Sequence, residues 1–229
     1  MLFATLSVAL GNTAHASVRD VCDKAAAEAS QSTGVPVSVL RALTRIETGR
    51  TRSGHLQPWP WTVNMEGVGK WFATRAEAQK YAKQYYKSGA RSFDVGCFQI
   101  NYRWHGNQFA SIDEMFDPFL NARYAAKFLK NLYKETGDWT AAAGAYHSRT
   151  PKYASRYTTL FVRMRDDLKK GEHAPSDSVP RLATTAASRL IAYPLLRNTG
   201  AGGKNGSLVQ LQNTARPALW AATKKEVDQ

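Results

Sequence analysis

The chain has 229 residues, is 43% hydrophobic and carries a formal net charge of +13. That is room for one core of roughly 150 residues plus extensions. The positive excess suits nucleic acid, an anionic membrane surface or an acidic polymer. The basic residues are scattered without an arginine-rich run, which sets nucleic acid aside, and no apolar run is long enough to span a bilayer.

At the N-terminus, Met1 to Leu10 is a short apolar run and Ala14-His15-Ala16 fits the small-x-small cleavage pattern, so residues 1–16 read as an export signal. Its basic n-region is missing, which points to a start upstream. The chain then punctuates itself as helices. Ser17-Val18-Arg19-Asp20 resembles a capping box ahead of a stripe of Val18, Val21, Cys22, Ala25, Ala26 and Ala29. Pro36 at the first helical position and Gly49 at the end bound a second helix, with Leu40, Leu43, Ile46 and Glu47 on one face. Thr74-Arg75-Ala76-Glu77 is a capping box before Ala78, Tyr81, Ala82 and Tyr85, with Gly89 as its stop.

Ser111-Ile112-Asp113-Glu114 opens a short turn of helix, and Asp117-Pro118 starts a long one with the stripe Leu120, Tyr124, Phe128 and Leu132. Asp138 caps an Ala-rich helix through Tyr146. Thr150-Pro151 starts the last helix, with Tyr153, Tyr157, Leu160, Phe161, Met164 and Leu168 on one face and Gly171 at its end. Two stretches break the helical pattern. Trp59–Val63 and Lys70–Phe72 flank 64–69 as a small hairpin, and 93–106 reads as a compact loop with Val95, Phe98 and Ile100 inward. After Gly171 the composition turns to Ala, Ser, Thr, Asn, Gly and Pro. Residues 172–229 therefore read as a largely disordered tail with small apolar islands. The expected fold is mainly α, a helical catalytic domain over 17–171 with a small β-hairpin/loop insertion.

Three polar clusters carry the chemistry. Glu47-Thr48 closes an apolar helical face, where burial and the helix C-terminus raise a carboxyl pKa and make it a candidate general acid. Its alternative is a partly exposed Glu at a frayed helix end. In Gly96-Cys97-Phe98-Gln99-Ile100-Asn101, the Gln99 and Asn101 amides suit sugar hydroxyls and acetamido groups, or else bond loop backbone. In Ala145-Tyr146-His147, the Tyr146 hydroxyl is able to hold the Glu47 carboxyl, or else Tyr146 is core. Trp59, Trp61, Trp71, Tyr102 and Trp104 are candidates to stack on sugar rings or to pack against helices. Cys22 and Cys97 are the two cysteines, and export favours a single disulfide over two buried thiols. No His-Glu-x-x-His motif appears and the five histidines lack ligand spacing, so neither a metal nor a cofactor is expected.

In this order the three clusters resemble the soluble-type lytic transglycosylases of the lysozyme-like superfamily, which show Glu-Ser, Gly-Leu-Met-Gln and Ala-Tyr-Asn. Asp117-Pro118 with Asn121 before a long helix is similar too, and the likeness runs from about Cys22 to Leu168. The departures are Thr48 for Ser, Cys97 for Leu, Phe98 for Met and His147 for Asn. A Cys97 bridged to Cys22 is a feature of a sub-branch. The segments Trp59–Asn64 and Tyr102–Gly106 are similar to specialised members that open the wall for flagella or secretion machines.

The resemblance implies peptidoglycan glycan strands as substrate, Glu47 as the catalytic acid, and Thr48, Phe98, Gln99, Asn101, Tyr146 and His147 as substrate-binding residues. It implies cleavage between N-acetylmuramic acid and N-acetylglucosamine with a 1,6-anhydro product, a monomer in the periplasm, and no cofactor. Asp94, the nearest motif-linked acid, has no counterpart as a second catalyst in that family. The tail is expected to bind a flagellar rod or secretion-apparatus protein. The alternatives are a hydrolytic lysozyme-type muramidase and a non-catalytic wall-binding scaffold.

Overall fold

A computed structural model describes residues 18–52 and 55–173. The expected signal at 1–16 lies outside the described residues, as does the tail expected over 172–229 apart from its first two residues. Among the described residues the chain forms eight α-helices and two small antiparallel sheets, the mainly helical class expected.

A 3-10 turn over Val18–Asp20 leads into α1 (Val21–Thr33). Asp20, at the N-cap, makes no side-chain capping bond; Ser17, the other half of the expected capping box, lies outside the described residues, and Val18 is exposed ahead of the helix instead of on its buried face. Cys22, Ala25, Ala26 and Ala29 are buried as expected. Helix α2 (Val37–Thr48) has Pro36 at its N-cap, one residue outside the position expected, and Gly49 after its end. Helix α3 (Arg75–Lys87) carries the full Thr74/Glu77 capping box. Helix α5 (Ile112–Met115) is capped by the Ser111 hydroxyl on Glu114 N, while the Glu114 carboxylate turns to Ala110 N and not to Ser111. Asp117 caps α6 (Pro118–Thr136) and Asp138 caps α7 (Trp139–His147). Helix α8 (Pro151–His173) runs through Gly171, which therefore does not end it.

Two helical faces are phased differently from expectation. On α6 the buried face is Asn121, Ala122, Ala125, Ala126, Leu129 and Leu132, while Leu120, Tyr124 and Phe128 are half-buried. Small residues let α6 close onto the alanine face of α1, so the larger side chains are displaced to the flank. On α8 the buried positions are Tyr157, Phe161 and Met164, whereas Tyr153 is 51% exposed.

The hairpin is β3 (Thr62–Met65) with β4 (Val68–Trp71), turning at Glu66-Gly67 with both φ positive, the geometry that suits right-twisted strands. The stretch 93–106 is not a loop. It forms β5 (Phe93–Val95), β6 (Ile100–Asn101) and α4 (Tyr102–His105). The sheet order is β4-β3-β5-β6, so β5 pairs with a strand about 30 residues earlier, a non-local partner that sets β structure where local pattern does not. Strands β1 (Arg50–Arg52) and β2 (His55–Gln57) make the second, two-stranded sheet.

Cys22 on α1 and Cys97 in the β5–β6 turn form a disulfide with a separation of 75 in sequence. Closing that loop is worth about 4 kcal/mol in the chain-entropy picture. The bond also fastens the sheet to the helical core.

Candidate active site

Helix α2 has a strongly apolar face, and Glu47 is its last-but-one residue. That face packs on α1 and α8, so the carboxyl is carried inward with it and is 2% exposed. The helix end is fixed from three sides. Trp71 Nε1 donates to the Thr48 carbonyl at 3.1 Å. Trp59 N donates to the Thr48 hydroxyl at 3.2 Å, and that hydroxyl in turn donates to Thr44 O at 2.9 Å and lies 3.4 Å from Cys97 O. Arg50 lies over the Trp59 ring at 3.6 Å.

The partner of Glu47 is Tyr157 on α8, whose hydroxyl donates to Oε1 at 2.7 Å. Tyr146, expected in that role, donates to the Phe98 carbonyl at 2.8 Å instead. Tyr146 is the last-but-one residue of α7, and its hydroxyl meets the β5–β6 turn. Tyr157 shares the buried face of α8 with Phe161 and Met164, so nothing in its local sequence marks it. His147 stacks on the Tyr157 ring at 4.6 Å, nearly parallel, with its buried Nδ1 unpaired. Burial pushes this imidazole down to about 4, so it is neutral.

Burial raises the Glu47 carboxyl to about 8; the Tyr157 hydrogen bond draws it back in part, and the Asp94 carboxyl adds to the rise. At neutral pH Glu47 thus holds its proton, the state a general acid needs.

The β5–β6 turn faces it. Gly96 has φ +81, and Asn121 clamps the turn: its Oδ1 accepts from Phe98 N at 3.0 Å, and its Nδ2 donates to Val95 O and Met115 O, both at 3.1 Å. Phe98 is fully buried. Gln99 sits in the left-handed region at φ +47, which costs a non-glycine residue of order 1–3 kcal/mol and favours a constrained site. Its amide donates to Gly96 O at 3.0 Å and Thr62 O at 3.3 Å, leaving Oε1 buried and unpaired.

Beside it, Asn64, Asp94 and Asn101 stand in register across β3, β5 and β6. Asn64 Nδ2 donates to Asp94 Oδ2 at 2.9 Å and Asn101 Nδ2 to Oδ1 at 2.7 Å. Both amide oxygens remain buried and unpaired. Asp94 is 2% exposed, and burial raises it to about 7 against the pull of the two amides. No cluster of metal-ligating side chains occurs among the described residues.

Of the residues singled out in the sequence, Glu47, Thr48, Phe98, Gln99, Tyr146 and His147 converge where α2, the β5–β6 turn and α7 meet. Asn101 joins them through Asp94. Tyr157, Asn64 and the full part of Asp94 were not legible. Among the aromatics, Trp59 is packed, whereas Trp104 is 36% exposed.

The fold thus buries the Glu47 carboxyl near a turn in which Gln99 Oε1 is unpaired, with Asn64 Oδ1 and Asn101 Oδ1 unpaired on the adjoining strands. Residues 74–154 match the family model described as the Transglycosylase SLT domain. That stretch is about a third of the chain and takes in the second and third clusters but not Glu47, and it supports the family that the motifs resemble. No curated protein and no solved structure matches the chain.

Proposed function

We propose that this protein is a peptidoglycan lytic transglycosylase that cleaves the β-1,4 bond between N-acetylmuramic acid and N-acetylglucosamine and leaves a 1,6-anhydro end. The observation that carries the reading is the buried Glu47 carboxyl, protonated at neutral pH and held by Tyr157. The match over 74–154 supports peptidoglycan as the substrate. Glu47 protonates the glycosidic oxygen. As a carboxylate it then takes the proton of the muramic acid C6 hydroxyl, whose oxygen attacks C1. An intramolecular nucleophile of this kind gains from proximity. Thr48, fully buried, supports the helix end; Gln99, Asn101 and His147 bear the unpaired polar atoms available to sugar.

The likeness of Trp59–Asn64 and Tyr102–Gly106 to specialised members supports a role in opening the wall locally for a flagellar or secretion machine, in the periplasm. A second reading, hydrolytic muramidase, is favoured by Asp94, since hydrolytic glycosidases use two carboxylates. Glu47→Gln is the test. The side chains match in shape but Gln moves no proton, so lysis of purified sacculi should fall below a few percent of wild type with the fold retained. A non-catalytic scaffold would be unaffected in its wall binding and assembly role. Mass analysis of the released muropeptides separates anhydro from reducing ends.

A further inference from the structure

We propose that His147 is a positioning residue for Glu47: its imidazole, lying flat on the Tyr157 ring, holds the Tyr157 hydroxyl on the Glu47 carboxyl. The inference rests on the wall-cleaving reading above, in which Glu47 must present its proton in one direction. His147 and Tyr157 stack with ring centroids 4.6 Å apart and an interplanar angle of 11°. The hydroxyl at the far end of the same Tyr157 ring donates to Glu47 Oε1 at 2.7 Å. The three side chains thus form one line from α7 through α8 to α2.

The ring plane matters because a phenolic O–H prefers to lie in it. Rotation of tyrosine about χ2 is soft. A Tyr157 ring free to turn would swing its proton off Oε1, although the oxygen itself would hardly move. A flat neighbour removes that freedom. The contact is one of ring faces and not of charge, since burial keeps the imidazole neutral and its Nδ1 has no hydrogen-bond partner. The ring is also this chain's own: the wall-cleaving enzymes that it resembles show Asn at this place, a side chain with nothing to stack.

The sequence around the pair brings the two rings together. Gly144 lies one turn before His147, where α7 meets α8. A Cβ at Gly144 would stand 2.7 Å from Thr158 Cγ2 and 3.5 Å from Ala154 Cβ, so only glycine lets the helices approach this closely. Ala154 and Thr158 flank Tyr157 on α8. The link between the helices is just Ser148–Arg149–Thr150, and it is closed by Thr150 N donating to the Ser148 hydroxyl at 3.1 Å. The end of α7 and the second turn of α8 are therefore fixed against each other.

The test measures kcat and KM on purified sacculi for the full chain as wild type, His147→Ala, His147→Phe, Tyr157→Phe and the double variant His147→Ala/Tyr157→Phe. We expect His147→Ala to lower kcat roughly tenfold. His147→Phe keeps a flat face without a nitrogen and should recover most of that kcat, so that any lost sugar contact is read in KM. The double variant should be no slower than Tyr157→Phe alone, because the imidazole acts only through the hydroxyl. Losses that multiply to about 100-fold in the double variant overturn the positioning role. So does a His147→Ala kcat within about twofold of wild type, or a His147→Phe as slow as His147→Ala. If His147→Ala does not fold, His147→Leu fills the space without a flat face and replaces it in every comparison. A wild type that releases no muropeptides overturns the transglycosylase reading first and the role of His147 with it.

Discussion

Tyr157 sets how firmly Glu47 holds its proton. Its hydroxyl bond stabilises the carboxylate and so works against burial. In Tyr157→Phe that pull is gone. The alkaline limb of the pH–rate profile should move up by about one pH unit, and kcat should fall roughly tenfold as the carboxyl loses its orientation. An unmoved limb would show that Tyr157 only packs. The same geometry makes Glu47 costly to the fold. Its folded pKa is about 8 against an ordinary 4.5, so between those values the native state keeps a proton that the unfolded chain releases. Stability then falls as pH rises through that window, by an amount on the order of 4 kcal/mol at pH 8. The Glu47→Gln protein that lacks activity should therefore melt several degrees above wild type at pH 8, with the gain vanishing toward pH 4.5. The burial that keeps the proton on Glu47 is thus opposed to stability at this one side chain.

Between residues and fold, the β5–β6 turn is the element on which the site depends. A Cβ at Gly96 would lie 2.7 Å from Asn121 Nδ2, at a φ of +81 that side chains rarely adopt. Gly96→Ala should thus cost about 3 kcal/mol in urea unfolding and should also lower activity, since the displaced Asn121 is what holds Phe98 and Val95. A change under about 0.5 kcal/mol would mean the turn relaxes freely. This turn also marks how far the sequence could be read. Thr74, Ser111, Asp117 and Asp138 announced their helices because a cap is a contact between residues two or three apart. The face of α6 was misplaced because its buried seam is alanine and asparagine against the alanines of α1, a preference set by the partner helix. Strand β5 was read as loop because its pairing lies with β3. At the site, Glu47 was legible from the stripe it ends. The exchange of Tyr146 for Tyr157 was not, because both sit on apolar faces and only the crossing of α8 over α2 decides which hydroxyl arrives.

At the scale of the molecule, the described residues form one continuous core. Helix α1 packs on α6, α2 on α8, and α7 between α6 and α8, with the sheet joined on through β3, β5 and the disulfide. Glu47, Asp94, Tyr157 and the clamp at Asn121 all lie within it, and each has its partners there. The charge is distributed to match. Residues 172–229 contribute seven basic and four acidic groups, so most of the +13 belongs to the part that bears the site, as a wall polymer rich in carboxylates would favour. A chain shortened after His173 should accordingly fold with a melting temperature within about 2 °C of the full protein, a shift of less than 1 kcal/mol. It should also lyse isolated sacculi at a near-normal rate. Assembly or motility in cells should nonetheless suffer if residues 172–229 dock on a partner protein through apolar islands such as Leu190–Tyr193 and Ala218–Trp220. Normal assembly with the shortened chain would make the tail a passive extension. A shortened chain that does not fold would place part of the tail in the core, because nothing but missing contacts to 174–229 would then explain the loss.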